Sequence, residues 1–299
     1  MYVVLGASGN TGHVVANNLL ARGQKVRVVG RNAAHLQPLA AKGAETFIAD
    51  ATDAKALAQA FQQADGAYVM IPSNPASNDP LGYAGRVGDA IAHAVQTAGT
   101  KNVVALSSIG AEQPSGTGPI VGLHNLEQKL NQISGANVLY LRAGYFMENT
   151  LPQVNAIRQM GAVTTPLRAD LKVPMIATRD IGNVASDNLL HPTTRGKQVR
   201  ELLGHRDLSY SEVTAIIGQA IGRSNLKYIQ APDDQFRSVL VQMGMSEQFA
   251  RLLLEMTSAL NAGKMRALEP RTQQNTTPTS FETFVADTFV PAYQHPAAA

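Results

Sequence analysis

Short apolar runs alternate with amphipathic segments along the first half of the chain. The runs are the length of buried strands, and the segments between them repeat their apolar positions at helical spacing. We predict strands at 2–5, 25–30, 46–49, 67–71, 102–106 and 137–141, and helices at 11–22, 33–41, 54–63, 80–99 and 120–134. Strands and helices that alternate in this way form a parallel sheet with helices on both faces.

The second half of the chain is less regular. We predict helices at 148–160, 180–190, 209–220, 234–243, 246–260 and after the possible cap at 279–282, and strands at 173–177, 198–203 and 226–229. The polar segment 269–277 is interpreted as a mobile stretch or a lid, and the tail after Tyr293 as frayed. The expected fold is α/β. A Rossmann-type doubly wound parallel sheet covers 1–150 and is completed by part of 172–200, and a smaller, discontinuous α+β substrate domain lies mainly in 151–299.

A glycine-rich turn joins the first predicted strand to the first helix. Its sequence is GASGNTG, with glycines at 6, 9 and 12. In such a unit the first glycine permits a tight turn, the second lets backbone N–H groups approach a pyrophosphate, and the third lets the helix pack on the strand. The alternative is a turn without a ligand. The predicted dinucleotide contacts are Gly6, Ser8, Gly9, Asn10, Thr11 and Gly12.

The residue after the second strand selects between the two nicotinamide cofactors. An acidic residue there would bind a ribose hydroxyl, whereas a guanidinium would pair with the 2′-phosphate of NADP(H). Arg31 occupies this position. We therefore predict NADP(H) as the cofactor, the alternative being that Arg31 is a solvated surface residue.

Ligands of a doubly wound sheet lie at the carboxyl ends of its strands. Several candidate side chains follow predicted strands directly, and Ser107 and Ser108 could bind substrate or ribose or simply end their strand. The further predicted cofactor contacts are Asp50, Ala51, Ile71, Pro72, Ser107, Ser108, Lys129, Tyr145 and Phe146.

Composition narrows the classes of function. The chain has 299 residues, a net charge of +3 and no long basic run, which gives no support for a nucleic-acid partner. It has no cysteine, so thiol catalysis and disulfides are excluded, and its seven histidines lack ligand spacing, so no metal is predicted. No signal peptide or membrane-spanning apolar stretch is recognised, and the first strand starts at the second residue. We expect a cytoplasmic monomer or homodimer without a membrane partner, acting on a small molecule.

Six stretches carry a resemblance to a known family. They are GASGNTG at 6–12, VVGRN at 28–32, ALSSIGA at 105–111, HNLEQKL at 124–130, LRAGYFMEN at 141–149 and TPTSFETF at 277–284. The chain resembles the NmrA-like branch of the atypical short-chain dehydrogenase/reductases over nearly its whole length. The resemblance implies a Rossmann domain with a smaller substrate domain. It also implies either an NADPH-dependent reductase of quinones or triarylmethane dyes, or an inactive NADP-sensing regulator.

The chain lacks the Tyr-x-x-x-Lys pair of typical short-chain dehydrogenases. If Lys129 is the lysine, Asn125 stands at the tyrosine position and cannot supply a proton. Lys129 lies at the edge of its helix's apolar stripe and His124 nearly opposite its centre, so either of them, but not both, would face the cleft. Each could also be a solvated side chain.

The segment after the sixth strand is the other candidate for substrate chemistry. Tyr145 and Phe146 could form an apolar wall over the nicotinamide, and Asn149 could donate to a carbonyl oxygen. The alternative is that Phe146 and Met147 pack between domains. The predicted catalytic residues are Lys129, Tyr145 and Asn149.

A site without a strong acid favours a conjugated hydride acceptor. Such an acceptor delocalises the incoming electron pair and can be protonated by water, whereas a ketone forms an alkoxide that needs a donor. The leading hypothesis is an NADPH-dependent reductase of a conjugated small molecule, first of all a quinone. The alternatives are a catalytically inactive NADP(H)-sensing regulatory protein and, third, an isomerase or epimerase that keeps its cofactor bound.

Overall fold

The computed structural model describes residues 1–295. In this range the chain forms short strands, mostly of buried β-branched and aliphatic residues. The strands are β1 (Tyr2–Leu5), β2 (Val26–Gly30), β3 (Glu45–Ile48), β4 (Gly66–Val69), β5 (Asn102–Ser108), β6 (Asn137–Ala143), β7 (Tyr145–Phe146), β8 (Ala162–Thr165), β9 (Val173–Ile176), β10 (Lys197–Leu202), β11 (Arg206–Leu208) and β12 (Lys227–Gln230).

Helices connect these strands, together with a 3₁₀ turn at Met147–Thr150 and a π turn at Val285–Phe289. None of the helices in residues 1–295 is long and apolar enough to cross a membrane. The helices are α1 (Asn10–Ala21), α2 (Ala33–Ala40), α3 (Ala54–Ala60), α4 (Pro80–Ala98), α5 (Ile120–Asn131), α6 (Gln153–Met160), α7 (Thr178–Leu190), α8 (Tyr210–Ala220), α9 (Asp233–Gln242), α10 (Glu247–Asn261), α11 (Phe281–Phe284) and α12 (Val290–Gln294).

The main sheet has seven strands in the order β3-β2-β1-β4-β5-β6-β10, and every neighbouring pair is parallel. Val4 of β1 pairs with Val28 on one side and Tyr68 on the other. The strand order reverses between β1 and β4, and the crevice beyond such a reversal is where doubly wound sheets bind their ligands. The Rossmann-type fold and all six strands predicted in the first half are confirmed.

Apolar residues cover both faces of the sheet because successive side chains of a strand point in opposite directions. Val3 and Leu5 belong to the core cluster packed by α3, α4 and α5, while Val4 belongs to the cluster packed by α1, α2 and α7. In the cluster that contains Val4, helices α1 and α7 pack at close range. A Cβ on Gly182 would lie 2.6 Å from the Cβ of Val14, so only glycine lets the two helices approach this closely.

The rest of the chain builds a smaller body with its own core. β7, β9 and β11 form a three-stranded sheet, and β8 pairs with β12. Met175, Tyr210 and Phe281 are buried in this core. By contrast, α7 and β10 lie in the second half of the sequence but pack with the main sheet. The chain therefore crosses between the two bodies more than once, and the predicted domain division at residue 150 stays an interpretation.

Two helices differ from the predictions. The helix predicted over 148–160 is interrupted, because Pro152 ends the 3₁₀ turn and leaves α6 to begin at Gln153. Helix α7 begins at Thr178 rather than at Asp180. The Glu148 carboxylate accepts from the Thr178 backbone N–H (3.0 Å) and from its hydroxyl (2.6 Å), and so caps this helix. The short strands β7, β8 and β11 were not predicted.

The polar segment 269–277 is hydrogen-bonded to the end of β10. The buried Glu201 carboxylate accepts from the backbone N–H groups of Leu268 (2.9 Å) and Glu269 (3.0 Å). Arg271 donates to the carbonyl oxygens of Gly204 (2.6 Å) and Leu203 (3.0 Å). These hydrogen bonds hold segment 269–277 as a strap along the edge of the sheet. This corrects the interpretation of the segment as a mobile stretch or a lid. The predicted fraying of the tail falls in part on 296–299, outside the described residues.

Candidate functional site

The turn from β1 to α1 is tightly packed around its glycines. Gly6 has a φ of +70°, a left-handed conformation that favours glycine. Its carbonyl oxygen accepts from the Gly9 N–H at 2.9 Å. A Cβ on Gly12 would lie 2.4 Å from that same oxygen. Backbone packing therefore requires glycine at position 12, and the left-handed conformation favours it at position 6.

Helix α1 begins with exposed donors. Gly9 is its N-cap residue, and within residues 1–295 no side chain caps the helix and no acidic residue lies in its first turn. Ser8, Gly9 and Asn10 are exposed. The unpaired N–H groups and the positive end of the helix dipole make this end suitable for a phosphate group. The structure fits the predicted diphosphate contacts of the GASGNTG turn.

The side chain of Thr11 takes part in a buried hydrogen bond. It is buried, and the buried Tyr68 hydroxyl donates to its Oγ1 at 2.7 Å. Burial raises the pKa of Tyr68, so this phenol keeps its proton. A contact from Thr11 to a dinucleotide would therefore use its backbone N–H.

Arg31 and Asp50 lie beyond the ends of the neighbouring strands β2 and β3, and both are exposed. The Thr52 backbone N–H (2.8 Å) and hydroxyl (2.7 Å) donate to Asp50 and lower the pKa of its carboxyl, to which the positive charge of Arg31 also contributes. Ala51 is buried beside this pair. The guanidinium of Arg31 is thus presented next to a carboxylate that stays ionised, at the edge of the cleft where a ribose phosphate would lie.

A cavity of about 410 Å³ opens at the carboxyl ends of β4, β5 and β6. It brings together seven of the predicted site residues, namely Ile71, Pro72, Ser107, Ser108, Tyr145, Phe146 and Asn149. Side chains from α10 form another part of its wall, among them Phe249, Leu252 and Met256. The predictions missed this wall. The apolar positions of α10 predict a helix, but nothing local to them shows that the helix lies over the sheet edge.

Tyr145 and Asn149 both line this cavity, and Tyr145 is held by a neighbouring tyrosine. The Tyr145 hydroxyl accepts from the buried Tyr210 hydroxyl at 3.2 Å, and the two rings meet edge to face with centroids 6.2 Å apart. Burial raises the pKa of Tyr145, while the hydrogen bond from Tyr210 and the nearby Asn149 side chain oppose that rise. Tyr145 is therefore a neutral phenol whose own proton is available to a bound molecule.

The two serines at the end of β5 already use their protons. Ser107 donates to Glu127 at 2.6 Å, and Ser108 donates to the Ile109 carbonyl at 3.0 Å. Glu127 is buried and forms a two-pronged ion pair with Arg142, at 3.0 Å and 2.7 Å. Both serine oxygens keep acceptor capacity toward the cavity.

Neither of the two competing residues of α5 lines the cavity, whereas Leu123 does. Lys129 donates to the Gly85 carbonyl at 3.0 Å and pairs with Asp89, which ties α5 to α4. Nδ1 of His124 lies 2.8 Å from the Ala111 carbonyl oxygen. The structure does not bring Lys129 together with Tyr145 and Asn149.

Alanine substitution tests the predicted role of Lys129. Because its ammonium is engaged with α4, we expect Lys129→Ala to change NADPH affinity and turnover by less than about threefold, the range of a part-exposed ion pair. His124→Ala is the matched variant one turn away on the same helix. A loss of more than about a hundredfold in Lys129→Ala alone, with the fold intact, would show that this lysine reaches the cofactor.

A family model described as the NmrA-like family matches residues 2–285. An NAD(P)H azoreductase of Xenophilus azovorans is 30% identical over 258 residues, which cover 86% of each chain.

Two solved structures have the same fold. The NADPH complex of the quinone oxidoreductase QOR2 from Escherichia coli superposes with a TM-score of 0.80 at 23% identity, covering 97% of this chain and 100% of the other. The NADP(H) complex of triphenylmethane reductase from a Citrobacter species superposes with a TM-score of 0.79 at 17% identity, again covering 97% and 100%.

Proposed function

The chain belongs to the NmrA-like family, and on that premise we propose that it is an NADPH-dependent oxidoreductase that reduces a flat conjugated small molecule, a quinone being the leading candidate. One observation carries the proposal. The apolar cavity at the carboxyl ends of β4, β5 and β6 contains a neutral tyrosine hydrogen-bonded to Tyr210, and no carboxylate among the described residues lines it. The azoreductase relative supports the oxidoreductase activity.

The residues of the crevice fit NADP(H). The uncapped start of α1 would hold the diphosphate, and Arg31 would pair with the 2′-phosphate. When bound, NADPH supplies a hydride from C4 of its dihydronicotinamide ring. Strand-end residues Ile71, Ser107 and Tyr145 line the cavity where that ring would meet an acceptor.

The cavity suits an acceptor that needs orientation more than acid catalysis. Its walls are mainly aliphatic and aromatic side chains, which hold a flat ring and exclude water. The balanced reaction is NADPH + H⁺ + quinone giving NADP⁺ + hydroquinone. Tyr145 is the phenol placed to hydrogen-bond a carbonyl oxygen of the acceptor and to donate the additional proton, with Tyr210 positioning it.

Turnover with a panel of acceptors tests the proposal. We expect saturable NADPH oxidation with quinones and little with aliphatic ketones of similar size, because the mainly aliphatic and aromatic walls orient a planar ring better than a flexible chain. Brisk reduction of aliphatic ketones with quinones ignored would contradict the proposed substrate class. Tight NADPH binding without turnover on any acceptor would instead support the regulatory alternative.

Arg31→Asp tests the cofactor preference. We expect the KM for NADPH to rise about tenfold to a hundredfold, because the variant loses a charge-assisted bond and places a carboxylate against the 2′-phosphate, while the KM for NADH is unchanged or falls. Lys25→Asp is the matched control, since Lys25 is exposed and precedes β2 at the opposite end of the same strand. An unchanged ratio of the two KM values in Arg31→Asp would contradict the assignment.

A further inference from the structure

The cavity has a single charged residue among the described residues that line it. That residue is Arg266, which follows α10, and no aspartate, glutamate or lysine lines the cavity with it. The neighbouring wall is apolar and includes Leu260 and Met265. A lone guanidinium at the border of an apolar cavity gives that border a net positive charge.

The Arg266 side chain is exposed, but hydrogen bonds anchor the chain before and after this residue. Before it, the Gln113 side-chain amide donates to the Lys264 carbonyl at 2.6 Å. After it, the Glu201 carboxylate accepts from the Leu268 N–H at 2.9 Å. Met265 is buried against Gly110, where an added Cβ would lie 3.0 Å from the methionine side chain. These anchors fix the place from which the Arg266 side chain reaches the cavity.

The buried acids on this side of the molecule have other partners. Glu127 forms its ion pair with Arg142, and Glu112 contacts the same guanidinium at 3.4 Å. Glu201 accepts backbone N–H groups of the strap. Across residues 1–295, Arg266 forms no salt bridge within 4.0 Å of a carboxylate. Its donors are therefore free for an anion from outside the chain.

We propose that the acceptor reduced in this cavity carries an oxyanion group, a carboxylate, sulfonate or phosphate, which Arg266 binds. This inference deepens the proposed function and rests on it. The planar guanidinium matches the paired oxygens of such a group, and the apolar walls accommodate the conjugated ring that bears it. Arg266 thus selects anionic over neutral acceptors of the same ring system.

A matched pair of substrates tests the inference. A naphthoquinone and its ring-sulfonated derivative are compared as acceptors with the wild-type protein and Arg266→Gln. We expect the KM for the sulfonated quinone to rise about fivefold or more in Arg266→Gln, which is the effect of losing one ion pair at the border of a cavity. The KM for the neutral quinone should change less than about twofold, because that quinone has no anionic group for Arg266 to bind. Arg266→Lys keeps the charge and should retain part of the selectivity.

A control variant and the activity of the wild-type protein distinguish failure of the anion site from failure of the proposed function. Lys264→Gln removes an exposed charge two residues away from Arg266, outside the residues that line the cavity, and should leave both KM values unchanged. Equal changes for both quinones in Arg266→Gln, or no change for either, would overturn the anion site while the reductase activity stands. Absence of NADPH oxidation by the wild-type protein with either quinone would overturn the proposed function itself.

Discussion

Gly12→Ala is expected to weaken NADPH binding by about a hundredfold, a cost of about 3 kcal/mol. An added Cβ would lie 2.4 Å from the Gly6 carbonyl oxygen and 2.8 Å from its carbon, both backbone atoms that cannot rotate away. The turn must therefore move, and with it the N–H groups at the start of α1 that would hold the diphosphate. Isothermal titration calorimetry with NADPH measures the loss.

Gly85→Ala is the matched control for this substitution. Gly85 lies in α4, and a Cβ there meets no atom within 4 Å. The control should bind NADPH as the wild type does and be slightly more stable, since alanine favours a helix more than glycine. Thermal unfolding of Gly12→Ala without ligand separates lost binding from lost folding. Wild-type affinity in a folded Gly12→Ala would show that the turn does not hold the cofactor.

Glu127→Leu is expected to lower the free energy of unfolding by about 3–5 kcal/mol, because it leaves Arg142 buried without its main partner. Glu127 is 4% exposed and Arg142 9%, and Ser107 also loses its acceptor. Glu112, at 3.4 Å from Arg142, compensates only in part. Urea denaturation followed by circular dichroism measures the change.

A double variant shows whether the buried charge is the cause. Glu127→Leu combined with Arg142→Leu removes both charges and should recover much of the lost stability, because an apolar pair needs no compensation. Arg22→Ala breaks an exposed pair with Asp187, whose side chains are 50% and 59% exposed, and should cost less than about 1 kcal/mol. A double variant as unstable as the single one would mean that packing, rather than the unpaired charge, dominates.

The first half of the fold was predictable because its signals are local. Most strands there are buried apolar runs next to a periodic helix, with β3 the exposed exception, and the glycines of the first turn lie only a few residues apart. The short strands β8 and β11 escaped prediction because neither carries an apolar run, β8 being AVTT and β11 being RDL. Their pairing depends on partners distant along the chain.

The candidate site was predictable at the strand ends and not elsewhere. Tyr145 and Asn149 lie in the segment that follows β6, and the general rule for parallel sheets places this segment at the cleft. The environment of Lys129 depends on Asp89 of another helix, and a position at the edge of an apolar stripe does not decide between two neighbours. Arg266 reaches the cavity only because Gln113 and Glu201 anchor its segment, contacts that span long stretches of sequence.

A single-turnover experiment tests the central claim most directly. The protein is mixed anaerobically with equimolar NADPH and then with excess quinone, and NADPH absorbance is followed in time. We predict complete oxidation of the NADPH at a rate that saturates with quinone concentration and that slows when the transferred C4 hydrogen is replaced by deuterium. Persistence of the NADPH signal at every quinone concentration, in protein shown by calorimetry to bind the nucleotide, would contradict hydride transfer in this cavity.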